Sequence, residues 1–481
     1  MRHLLQEKIP HLFDNPSRQD SVTGIRYSVA LAFFAVGWTA AGSIVEGGTY
    51  YLLALGILLG HFYVIVRNSR NLLFIFRYAL LAIIPIGGAV AWGFFDDVNI
   101  APFGAHYQTH LATSALVGSG MFAVSGGAIG WFLVFIRFDS SRISNCLPPH
   151  ITNLRFLNRA SLTFLYLFGL LTFYMFGGAV TDSRSYATET NSIGFEFNAA
   201  NSFIFVLTGL YLTTARVIGT DLGKAVFIVS PAYVLPILAG SRADFLMQFT
   251  ILLYVYYSYR DAFAGRSGRY PLLQLTFGAL LLYFIASYIA IWRHVGNFSV
   301  ALGELLSTSL FIVERDAGKI LSLETANQMA GHFYVVYSKI ELIKEPFLYG
   351  KSYLDFLFRT TPAFLGLQRP ADLAWAMFVV EGETMAQGGV YEVAEAYWNF
   401  WYFGVLVVPM IISYTLGWFL KKALTSPKLW IFFASGFFGL GLMAPRAIWY
   451  QTFAYWRLLT VVVLLYLLMC LIKFPLVRKR L

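Results

Sequence analysis

Glu392, Glu395 and Asn399 stand at i, i+3 and i+7, which places all three on one face of a helix. A carboxylate near a membrane boundary and partly desolvated has its pKa raised toward the range of a general base. The same acids also suit an ordinary helix start, where the dipole favours negative charge. The other candidates are arginines. In Gly240-Ser241-Arg242 the glycine permits a tight turn and Ser241 caps the helix that follows. Arg242 then falls in the first turn, where cation and helix N-terminus together attract an anion. Alternatively it snorkels to headgroups or pairs with Asp244. Arg457 lies at the start of an apolar run, and an arginine there faces a cavity or a partner. Arg446 precedes it by about three turns on nearly one face, if helix runs through both. The guanidinium fork suits phosphate oxygens.

The elements that must position these groups are membrane helices. The chain is 58% hydrophobic, 18% aromatic and 12% charged, with mean hydropathy +0.64, which excludes a soluble globule. Apolar segments lie near 27–45, 50–66, 74–95, 110–136, 161–180, 199–217, 222–239, 243–259, 271–292, 398–420, 429–445 and 454–472. They approach or exceed the roughly 20 residues that cross a bilayer. The pattern predicts an all-α polytopic membrane protein of about twelve transmembrane helices. Its organisation is membrane helices over 1–292, a polar loop over 293–397 and further membrane helices over 398–481. No cleavage signal interrupts the first span, so no removed signal peptide is expected.

Lys and Arg concentrate in alternate connections, including Arg67, Arg70, Arg137 to Arg159, Arg260 to Arg269, Lys421 to Lys428 and the C-terminal Lys473 to Arg480. The positive-inside rule then puts both termini in the cytoplasm and the long loop outside. The net charge of +10 reflects this asymmetry and contact with anionic headgroups, not a nucleic-acid partner. Cys146 and Cys470 fall on the inner side and offer neither a metal cluster nor an outer disulfide. Asp96 and Asp97 form an acidic outer turn without further ligands nearby, read as solvated rather than as a cation site. His61 is expected to be a hydrogen-bonded helix contact rather than a proton relay. The glycines between Gly118 and Gly130 read as close helix packing, since no Lys-Ser/Thr ending of a phosphate loop follows.

A loop of about a hundred residues is presumed functional. It holds Arg293, His332, Arg369 and the acids above. Between Asp316 and Lys344 apolar residues recur at helical spacing, predicting an amphipathic helix on the membrane or over the bundle. His332 falls on its other flank, either a solvated surface histidine or a catalytic one.

In this order and placement the chain resembles the Wzy-type oligosaccharide repeat-unit polymerases that build bacterial O-antigen and related glycans. The shared features are Gly-Ser-Arg at 240–242, Arg-x-x-Gly at 293–296, Arg-Pro at 369–370, and Gly388, Gly389, Glu395, Asn399 and Phe400, with Arg446 before the last helix. The resemblance covers roughly 230–460. It implies a GT-C-like fold in the bacterial cytoplasmic (inner) membrane, with the large loop periplasmic. It also implies a metal-independent glycosyltransferase without cofactor. The growing glycan would pass from undecaprenyl diphosphate to a sugar hydroxyl of an incoming lipid-linked repeat unit. Arg242, Arg446 and Arg457 would bind the diphosphate, with Arg293 and Arg369 assisting there or on the sugar. Glu395 would be the general base, with His332 second. A Wzz-type chain-length co-polymerase is the implied protein partner. The rivals are an O-antigen ligase of similar architecture and, on different grounds, a secondary transporter, for which no internal repeat is evident.

Overall fold

Ser17 and Asp20 start the first helix through a reciprocal cap. Ser17 Oγ accepts from Asp20 N at 3.1 Å and Asp20 Oδ2 accepts from Ser17 N at 3.2 Å, which satisfies two donors that open a helix. Helix α1 therefore spans Arg18–Ala41, starting before the apolar run itself. The computed structural model describes residues 16–41, 48–69, 71–83, 85–87, 98–99, 109–136, 151–181, 203–215, 218–221, 224–231, 285, 288, 299–300, 302–303, 312–315, 318–321, 324–354, 380 and 390–425. The chain divides into two units. The first comprises Met1–Ile143, Phe311–Lys421 and Phe438–Tyr455; the second comprises Ser144–Leu310, Lys422–Phe437 and Trp456–Leu481.

In the first unit α1 is followed by α2 (Gly48–Ser69), α3 (Leu72–Tyr78) with a π-helical turn over Ala79–Ile83, and α4 (His110–Phe135). Thr109 caps α4, its side chain accepting from Ala112 N. Helix α4 is apolar on every side and buried along most of its length, as such a sequence requires. Its glycines admit neighbours closely. A Cβ at Gly126 or Gly130 would overlap the backbone oxygen of Leu406 or Met410, and one at Gly118 would press on Thr39. The small-residue stripe is thus a packing surface. Trp38 Nε1 also donates to Ser114 O at 3.2 Å, tying α1 to α4. His61 is a helix contact: Nδ1 lies 2.7 Å from Tyr78 Oη and Nε2 lies 3.2 Å from Ser28 Oγ.

The second unit holds α5 (Ile151–Thr181), α6 (Phe203–Ala215) and α7 (224–231). Asn158 Nδ2 donates to Tyr211 O and Thr214 Oγ1. Leu167, Leu170, Leu171 and Tyr174 of α5 are exposed, an apolar face of the kind that a membrane helix turns to lipid.

A small sheet also forms, which an all-α expectation omits. Strands β2 (Ile312–Arg315) and β3 (Gly318–Leu321) pair antiparallel, and β1 (Val98–Asn99) adds parallel to β3. The helix expected from Asp316 therefore begins later: α8 spans Glu324–Tyr337 and runs on as a π-helical turn over Ser338–Leu342. Met329, Ala330, His332, Phe333, Tyr334, Val335 and Val336 are all buried. Tyr334 Oη meets Thr113 Oγ1 of α4 at 3.1 Å. Helix α8 packs over the bundle and is not a surface-lying amphipathic helix. Helical periodicity shows that a face is apolar, but not that the opposite flank is also covered.

Helix α9 (Glu392–Thr425) closes the described chain. Among the described residues five helices are long and apolar enough to cross a membrane: Arg18–Ala41, Thr49–Ser69, His110–Phe135, Leu154–Tyr174 and Glu392–Lys422. The chain is mostly helical and carries the spans of a membrane protein. The expected spans at 243–259, 429–445 and 454–472 lie outside the described residues, as does nearly all of 271–292.

Candidate functional site

Helix α9 is two helices in one. Phe400 (φ −145°, ψ 23°) and Trp401 (φ 55°, ψ −150°) leave helical geometry and split it into 392–399 and 402–425. Trp401 occupies a region that nearly every side chain avoids, at a cost on the order of 1–3 kcal/mol. Gly404 permits the bend, because a Cβ there would collide with Ala396 O. Breaking a helix among apolar surroundings strands carbonyls that need donors. Leu348 N supplies one, donating to Trp398 O at 3.1 Å. The loop at 348–352 thus straps the end of the first half. Its turn uses Tyr349 (φ 48°) and Gly350 (φ 88°), and glycine adopts such angles without steric penalty.

Every residue from Val390 to Asn399 is 1% exposed or less. Glu395 Oε1 accepts from Ser352 Oγ at 2.7 Å. Asn399 Nδ2 donates to Ser352 Oγ at 2.7 Å and to Glu395 O at 2.8 Å, while Asn399 Oδ1 accepts from Gly350 N at 2.8 Å. The three residues expected on one helix face thus comprise two, Glu395 and Asn399, that converge on Ser352. The third, Glu392, goes elsewhere.

Glu392 meets Arg77, which reaches it from α3 with Nη2 2.6 Å from Oε1; the two side chains are 0% and 1% exposed. Arg77 Nε donates to Ser413 Oγ at 3.0 Å. Gly127 leaves the room beside Ser413, since a Cβ there would come within 3.1 Å of its hydroxyl. Glu392 Oε2 is buried with no hydrogen-bond partner among the described residues, and so is the Tyr353 hydroxyl. Burial pushes the Tyr353 hydroxyl well above its usual pKa, and the charges of Glu395 and Glu392 push it further. Tyr353 therefore keeps its proton at neutral pH and presents an O–H donor.

His332 is buried rather than solvated, at 3% exposure. Its Nδ1 accepts from Tyr391 N at 3.2 Å, which assigns the proton to Nε2 in the neutral ring. Tyr391 Oη donates in turn to Leu81 O in the π-helical turn after α3. At the break, Glu341 Oε1 accepts from Tyr397 Oη at 2.9 Å and Trp401 Nε1 at 3.3 Å.

Of the residues expected to bind or catalyse, Glu395 is thus placed on the buried half-helix and His332 on α8, bonded to the Tyr391 N–H just before that half-helix. Arg242, Arg293, Arg369, Arg446 and Arg457 lie outside the described residues, as do Asp96 and Asp97. Sequence reasoning missed Arg77, Ser352 and Tyr353. Arg77 was detectable: it interrupts the apolar run Leu72–Ile86, the signal that drew attention to Arg457. Ser352 and Tyr353 carry no such mark. Among the described residues no group of three or more His, Cys, Asp or Glu is placed to hold a metal ion.

The arrangement provides an oriented carboxylate, a protonated tyrosine and an ion pair inside an apolar bundle. Such groups can take a proton from a hydroxyl, donate to an oxygen, and hold a charged end of a ligand. No protein-family model, curated protein or solved structure matches the chain.

Proposed function

We propose that the chain is a membrane glycosyltransferase that polymerises lipid-linked oligosaccharide repeat units on the periplasmic side of the bacterial inner membrane. The observation that carries this is Glu395, buried at the head of a membrane helix and oriented by Ser352, which Asn399 holds in turn. Ionisable groups in such a setting are functional by default, because burial without a task is costly. The bonding of His332 favours Glu395 over it as base. With Nδ1 engaged and Nε2 carrying the proton, the neutral imidazole has no lone pair left to accept one.

In this reaction Glu395 takes the proton of the acceptor hydroxyl as that oxygen bonds to the anomeric carbon of the growing glycan. The bond from that carbon to the diphosphate oxygen breaks, and undecaprenyl diphosphate leaves with the electron pair. Arg242, Arg446 and Arg457, with Arg293 and Arg369, supply the positive charge that stabilises the leaving group. A Wzz-type co-polymerase sets chain length.

Glu395→Gln is expected to abolish chain extension in membranes while lipid-linked substrate still binds; normal glycan ladders would remove Glu395 from the chemistry. Deleting the gene separates polymerase from ligase. One repeat unit on the lipid A core marks a polymerase, and polymer accumulating on the carrier marks a ligase. One feature favours a secondary transporter instead: interrupted membrane helices beside buried charge are how many transporters build midplane sites. Sugar or ion uptake by vesicles holding the purified chain, without glycan synthesis, would establish that alternative.

A further inference from the structure

We propose that Arg77 is a positioning residue, a staple across the broken helix that sets where Glu395 and Asn399 stand. Its functional consequence rests on the proposal above that the Glu395 cluster meets substrate. The backbone break at Phe400 and Trp401 interrupts the hydrogen-bond ladder that would otherwise fix one half of α9 relative to the other. The second half has its own anchor, since Gly126 and Gly130 of α4 let its backbone press in at Leu406 and Met410. The first half carries the reactive face but not that anchor. Arg77 joins the two, with Nη2 on Glu392 before the break and Nε on Ser413 after it. Glu392 lies one turn before Glu395, so holding it fixes the rotation of the first half about its axis. Tyr391 Oη bonding to Leu81 O reinforces the same link to the segment that bears Arg77. The planar guanidinium has the geometry to serve two partners at once; a lysine ammonium is a point charge on a flexible stem.

The test uses the full chain in membranes, with Cys146→Ala and Cys470→Ala, and the pair Ser352→Cys and Asn399→Cys as a cross-linking reporter. Arg77→Met is expected to cut cross-link yield several-fold while the protein accumulates, and Arg77→Lys to cut it less. In the cysteine-free background without the reporter pair, Arg77→Met is expected to lower kcat for glycan extension by about a hundredfold with KM unchanged, as misplacement of a reacting group does. An undiminished cross-link in Arg77→Met would overturn the staple. Loss of the cross-link with glycan extension intact would uphold the staple and instead remove the Glu395 cluster from the reaction. Where Arg77→Met does not accumulate, Glu392→Gln and Ser413→Ala are combined. One staple predicts a double loss no larger than the greater single loss, and additive losses would overturn it.

Discussion

The two halves of α9 belong to one apolar run and meet opposite surroundings. Residues 392–399 are enclosed on all sides and carry Glu392, Glu395 and Asn399. Beyond the break the helix shows Phe403, Ile411, Tyr414 and Trp418 to the outside, at 70%, 56%, 46% and 42% exposure. The second half has the length and composition of a membrane helix, with one apolar face exposed and the glycine stripe of α4 on the other. The first half is a polar insert that keeps its shape through specific bonds. Hydropathy, which averages over a window of about 19 residues, blends the two. The bend at Phe400 and Trp401 therefore separates a buried polar segment from a helix with one exposed apolar face.

That contrast is breakable, and the largest effect is expected at the ion pair. Glu392→Ala leaves Arg77 buried without its carboxylate and should destabilise the protein by about 3–5 kcal/mol. Thermal melting in detergent reads this; a loss near zero would show that the first half does not depend on the pair. Ser352→Ala removes the donor to the Glu395 carboxylate and should lower stability by about 1–3 kcal/mol, with glycan extension falling alongside. Thr113→Val unties Tyr334 of α8 from α4, a loss of about 1 kcal/mol that chemical denaturation resolves. Phe403→Ala, on the lipid-facing half, should change melting stability by no more than about 0.5 kcal/mol. A large loss there would mean that this face is covered by protein, and the contrast between the halves would fall.

Part of the buried cluster was visible in the linear chain, but unevenly. The spacing of Glu392, Glu395 and Asn399 predicted a shared face, and Glu395 and Asn399 do meet one serine. Glu392 departs because a face spanning two turns is wide enough to touch two neighbours, and only packing decides which. The apolar residues of α8 mark only one side, so its sequence leaves the flank of His332 looking open; Tyr391 N and the surrounding segments cover it. The strand Gly318–Leu321 reads as helix in the sequence because Ile320 fits both periods and its partners Val98 and Asn99 are far away along the chain.

The sequence alone settled what depends on local composition. Apolar runs long enough for a bilayer made this a helical membrane chain. The glycines of α4 marked a close helix contact. Each follows from neighbours within a few turns, where propensity and hydropathy act. The tertiary structure alone decided that Arg77 pairs with Glu392 across 315 positions, that α9 breaks at Trp401, and that a loop serine orients Glu395. Those outcomes depend on how helices rotate about their axes and which ones touch. Hydropathy is nearly blind to both, because lipid and protein interior are equally apolar and only a buried charge tells them apart.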